Sequence, residues 1–161
     1  MLAKTGLIAA MLIGAFSVYA NNQQETNDLQ DVKNKIGNIE ESIAQAKDTM
    51  RFERTVYPPE HTPEPKYNKD KPSHSYFVID KYDIYSSADG ERMVQVLITN
   101  NSFSGVKLKP SQIKAYFGGQ NYVSPVSIEQ DGSFTQDETK SVTLHFGKHN
   151  VPVMGLITRN Y

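Results

Sequence analysis

The sequence predicts a mostly β protein: an antiparallel β-sandwich over residues 76–161, preceded by a leader, one amphipathic helix and a proline-rich segment. Three observations carry this. Past Tyr76 the apolar residues alternate with a period of two, and short Gly/Asn/Asp clusters punctuate the alternation. Before it, residues 27–54 step by threes and fours. The 161 residues contain no cysteine, so packing alone must hold the domain together.

Residues 1–20 have the layout of a cleavable secretory signal: Lys4, an apolar run over 6–16, then Val18-Tyr19-Ala20 before Asn21. The 16 residues of 5–20 give roughly 24 Å of helix against a hydrocarbon core of about 30 Å, which favours cleavage over a retained inner-membrane anchor. The expected location is therefore the periplasm or the medium, with membrane contact only if the leader is retained. Loss of Lys4 turns 17 basic and 18 acidic residues into 16 and 18, a formal charge of −2, which indicates no nucleic-acid partner. Without cysteine there is no lipidated N-terminus, thiol nucleophile or thiolate zinc site.

Residues 21–54 are expected to hold the helix. Leu29, Ile36, Ile43 and Met50 fall at heptad position a, and Val32, Ile39 and Ala46 at d. Asn27 with Gln30 forms an N-terminal capping pattern, and Asp28 and Asp31 suit the positive end of the helix dipole. In a parallel oligomer Asp28 meets Lys33 and Lys35 meets Glu40, both of opposite sign. β-branched Val32 and Ile39 at d shift the preference from two strands to three or four, so a parallel homotrimer is favoured. Gly37 opposes this by about 1 kcal/mol in the helix interior. Two other readings stay open: docking in a groove of another protein, and packing on the chain's own sandwich.

Residues 55–75 carry Pro58, Pro59, Pro63, Pro65 and Pro72 among polar neighbours and read as a semi-rigid linker, able to span about 50–60 Å if extended. Seven or eight strands follow, over 76–85, 92–99, 105–109, 112–117, 120–123, 125–129, 139–146 and 152–158. The inward set is Val94, Val96 and Ile98; Ile113, Ala115 and Phe117; Val142, Leu144 and Phe146. Turn signals separate them at Ala88-Asp89-Gly90, Asn100-Asn101-Ser102, Gly118-Gly119-Gln120 and Asp131-Gly132-Ser133. That many short strands in so few residues makes the expected sandwich immunoglobulin-like.

The runs Val94-Gln-Val-Leu-Ile-Thr-Asn-Asn-Ser102, Val106-Lys-Leu-Lys-Pro-Ser-Gln-Ile-Lys-Ala-Tyr-Phe117, Gly-Gly-Gln-Asn-Tyr122 and Gln136-Asp-Glu-Thr-Lys-Ser-Val-Thr-Leu-His-Phe146 resemble exported bacterial immunoglobulin-like domains of unassigned function, often carried on lipoproteins. The likeness covers about 76–158; the lipidation cysteine of those relatives is missing here. The resemblance implies binding or scaffolding without catalysis.

No phosphate loop, nucleophile elbow, paired-carboxylate motif or His-Glu helix motif occurs, so no catalytic residue and no cofactor is expected. His145 and His149 lie four apart, about 13 Å along a strand, too far to share a metal unless the chain turns at Gly147. Asp80, Asp83, Asp89 and Glu91 read as solvated edge charges rather than a calcium loop. Tyr82, Tyr116 and Tyr122 are the expected contact face for a protein partner of unknown identity in the cell envelope. A fimbrial subunit would need an N-terminal extension of period two, whereas this one has period 3.5. The functional expectation is an exported, non-enzymatic accessory or scaffold protein of the envelope. The alternatives are an inhibitor or immunity protein against an envelope-active toxin or hydrolase, and a periplasmic metal carrier using His145 and His149.

Overall fold

The computed structural model describes residues 25–58 and 62–161, with the side chains of 25–29 and 31 outside that description. The leader expected over 1–20 lies outside the described residues. The chain divides into two units, one ending at Ser42 and one running Ile43–Tyr161.

Helix α1 spans Glu25–Asp48, with Lys47 in its last turn where a cation suits the dipole. Among the described residues no helix is long and apolar enough to cross a membrane. The heptad pattern carries the helix to residue 54, but it stops six residues earlier. Met50 therefore lies in the connection rather than on the helical stripe. Thr49 Oγ1 folds back on the carbonyl of Gln45 at 2.8 Å, and strand β1 then runs Arg51–Val56. Strand formers win here because distant partners meet them. Phe52 packs edge-on to Tyr85 at 5.7 Å between ring centroids, the Ser86 hydroxyl donates to Glu53, and Val56 enters the core.

The remaining strands are β2 (His74–Ser75), β3 (Phe77–Ser86), β4 (Glu91–Asn100), β5 (Ile113–Tyr116), β6 (Tyr122–Val123), β7 (Ser127–Glu129), β8 (Thr139–Lys148) and β9 (Gly155–Asn160). They form a five-stranded sheet, β1-β3-β4-β8-β7, and a four-stranded sheet, β2-β9-β5-β6. The described chain is thus mostly β, with two sheets and one helix, as in a β-sandwich. All pairings are antiparallel except β2 with β9.

The core follows the predicted alternation. Val94, Val96 and Ile98 of β4 face Val142, Leu144 and Phe146 of β8 along one inner surface, and Ile113, Ala115 and Leu156 supply the other. Phe77 and Phe134 meet edge-to-face at 5.0 Å and close one end. Gly147, at φ +73°, sits opposite the register shift between Arg92 and Met93; that bulge lets β8 run on to Lys148.

Two expectations over 55–123 are corrected. The strand expected at 105–109 shrinks to one bridge, Val106 to Phe134, because a side chain takes the place of a neighbouring strand. The Gln130 amide accepts from Leu108 N–H at 3.1 Å and donates to Leu108 C=O at 2.9 Å. The proline-rich residues are not a free linker: Val56, Pro65 and Pro72 are buried, and a 3₁₀ turn forms at Asn68–Asp70. Ser73 N–H bonds the Ser111 carbonyl at 2.7 Å, and β2 follows at once.

Candidate functional site

The helical stripe expected to mediate association is exposed. Val32, Ile36, Ile39 and Ile43 each leave 50–57% of their surface open, and Ala46 is also exposed. Leu29 lies within α1, with its side chain outside the described residues. Gly37 sits at heptad position b with nothing within 4 Å of where a Cβ would be.

The three tyrosines expected as a contact face meet a different fate. Tyr122 is buried and donates its hydroxyl to the carbonyl of Pro63 at 2.7 Å, and that burial pushes its phenol above the ordinary range. Tyr82 is buried too, its hydroxyl accepting the Leu156 N–H at 3.2 Å. Tyr116 is half-buried and lies 5.0 Å from the Tyr122 ring. Tyr82 and Tyr122 are therefore internal fasteners, and a partner does not reach them as a flat aromatic face. Their hydroxyls found main-chain partners 74 and 59 residues away in sequence, which no local pattern signals.

The histidines and acids are dispersed. His145 Nε2 lies 3.1 Å from Glu129 Oε1, whereas His149 stacks on Phe117 at 4.1 Å and bonds the Phe146 carbonyl. Asp80 accepts from Thr99, Asp83 from Thr55, and Asp89 pairs with Lys148. Among the described residues no group of three or more potential ligands is placed to hold a metal ion.

Sequence reasoning missed a cleft of about 410 Å³ bounded by β3 and β9. Its apolar floor is Val56, Ile79, Tyr82 and Leu156, and its rim carries Glu64, Lys71 and Arg159. It exists because β9 pairs with β5 along residues 155–158, whereas on its other side β2 reaches only Arg159 and Asn160 among the described residues. The available signal was Val56, an apolar residue just ahead of the prolines that had no role in a free linker.

A second exposed feature lies where β3 begins and β4 ends. Tyr161 stacks on His74 and Tyr76 at 4.9 and 4.8 Å, and Tyr76 C=O accepts from Asn101 N–H. Two residues on, Phe103 is 90% exposed at a loop tip. Beneath that loop the fully buried Asn100 side chain donates to the Ser104 and Thr135 carbonyls and accepts from Ser102 N–H. No family model, curated protein or solved structure matches the chain.

Proposed function

We propose that this is an exported, non-enzymatic accessory or scaffold protein of the bacterial envelope, working in the periplasm or outside the cell after loss of residues 1–20. Its helix joins copies of the chain as a parallel trimer, and its sandwich binds a protein partner. The finer fold reading, an immunoglobulin-like domain, belongs to the same proposal. It is supported by a strand order in which the late strands β8 and β7 extend the sheet begun by β3 and β4, while β9 pairs with β5 in the other sheet.

The observation that carries this reading is the exposed stripe on α1. Burying the open half of an isoleucine or valine yields about 1 kcal/mol, so four such residues supply roughly 4 kcal/mol per chain. Summed over three chains, that is about 12 kcal/mol, comparable with the cost of association. Absence of a catalytic constellation in the sequence supports a binding role. The test is the mass of the protein recovered after expression of the full chain, measured by light scattering across a concentration series. Three chains are expected, falling to one in the Ile36→Asp/Ile39→Asp double variant with the sandwich's melting temperature unchanged. A wild-type monomer throughout would overturn the oligomer reading.

A further inference from the structure

We propose that the loop tip carrying Phe103 inserts into the interface of a phospholipid bilayer, with Tyr76 and Tyr161 at the level of the headgroups behind it. This goes beyond the protein-binding role of the sandwich; the strength of the contact, though not its geometry, rests on the α1 trimer.

The seven residues from Asn100 to Val106 carry no charge, and Phe103 among them is the most exposed large hydrophobic side chain of the described residues. On a mobile loop such exposure would mean little, but this loop is fixed at its base and on its return. Asn100 holds it by three hydrogen bonds, Ser102 Oγ donates to Ser104 C=O at 2.9 Å, and Val106 and Phe134 exchange N–H···O bonds at 2.9 and 2.7 Å. The fold itself therefore keeps the ring in water, an unfavourable placement that an apolar partner relieves. The site is also clear of the chain's entry into the sandwich. Arg51 pairs with Ser86 at the other end of β3, about 30 Å away along the strand.

The order of chemistry behind the tip identifies the partner. Tyr76 is tied to the loop by its carbonyl, which accepts from Asn101 N–H at 2.9 Å, and its exposed ring lies 4.8 Å from that of Tyr161, also exposed. Exposed cations come next: Arg159 two residues before Tyr161, and Lys107 and Lys109 just past the Val106 bridge. An apolar ring, then amphipathic aromatics, then cations is the sequence met on passing from acyl chains through headgroups to water. A pocket in a protein would instead call for apolar neighbours that seal water from the anchor, whereas Phe103 has a serine on either side. Exposed Asp131 and Asp137 offset two of the three cations, so insertion rather than net charge drives the contact and zwitterionic lipid suffices. One tip binds weakly; three tips on one assembly hold.

The chain contains no tryptophan, so Phe103→Trp installs a single reporter at the tip, and Phe52→Trp at the other end of β3 serves as its control. Each is recovered after expression of the full chain and mixed with unilamellar phosphatidylcholine vesicles, with and without bromine on the acyl chains; flotation of the unsubstituted protein with the same vesicles is followed in parallel. The expected result is a blue shift and bromine quenching at position 103, with neither at position 52. Phe103→Ser lowers the partition coefficient at least about ten-fold, and added salt changes it less than about two-fold. A tryptophan at 103 that ignores the vesicles overturns the proposal and leaves the tip to a protein pocket. Equal quenching at 52, flotation unchanged by Phe103→Ser, or binding abolished by salt overturns it as well. A trimer whose position 103 shows no shift removes the bilayer contact alone; a monomer that still shifts at high lipid removes the oligomer reading and leaves the bilayer contact standing.

Discussion

Asn100 is the polar residue on which the loop carrying Phe103 depends, and its replacement has a calculable cost. The side chain is 0% exposed and makes three hydrogen bonds: Nδ2 to Ser104 C=O at 3.1 Å, Nδ2 to Thr135 C=O at 2.9 Å, and Oδ1 from Ser102 N–H at 3.0 Å. Ser104 and Thr135 are exposed residues, so their carbonyls regain water once the amide is gone, at about 1 kcal/mol each. Ser102 is buried, and stranding its N–H costs nearer 2 kcal/mol. Asn100→Ala should thus lose about 3–4 kcal/mol. For a unit of this size that lowers the melting temperature by about 12–16 °C in a thermal scan followed by circular dichroism. Asn100→Asp keeps the acceptor for Ser102 but turns a buried carboxylate toward two carbonyls. It should be at least as damaging at neutral pH and recover part of the loss in acid, where protonation restores one donor. A loss below about 1 kcal/mol for the alanine variant, or an aspartate variant as stable as wild type at pH 7, would refute this account of the loop.

Three further outcomes follow from the same structure. Tyr122→Phe removes the bond to Pro63 and should cost about 1 kcal/mol while making residues 62–73 markedly more sensitive to limited proteolysis. Gly37→Ala places a methyl in open space away from the a/d seam; it should stabilise α1 by about 1 kcal/mol, read as higher helicity and tighter association. The Glu138 carboxyl is held below its ordinary range first by the Thr135 N–H and then by Lys140, and Asp89 is held down by its bond to Lys148. Because both folded-state values lie below the unfolded ones, their contribution is complete above the ordinary carboxylate range and fades as pH falls through it; Glu138→Gln should flatten that acid limb in pH-dependent urea melts.

The sandwich was legible wherever one strand face is buried and the other is not. At Val94/Val96/Ile98 and Val142/Leu144/Phe146 the alternation alone identifies which side chains are inside, because a one-residue slip would expose all of them. It failed where a strand is held by a long-range partner. β1 shows little burial until Val56, and what fixes Phe52 and Glu53 are Tyr85 and Ser86, beyond any local window. Between Val106 and Leu108 the residues suit a strand, yet the Gln130 amide occupies the neighbouring place. Composition misread the proline-rich segment for the same reason. Its prolines supply little local structure, but the Tyr122 hydroxyl of β6 and the Ser111 carbonyl in the turn before β5 bind its backbone. The heptad stripe was visible because it is periodic, and its last position was lost because Met50 follows the helix terminus.

The most direct test of the proposed trimeric helix uses the absence of native cysteine. A single Ile36→Cys places a thiol on the seam at position a, and Asn34→Cys places one at f, facing outward. Under mild oxidation, parallel in-register association predicts rapid disulfide-linked dimers from the position-36 variant, with little or none from position 34. Equal cross-linking at both positions, or none at either, would contradict the claim that the Val32–Ile43 stripe joins copies of this chain.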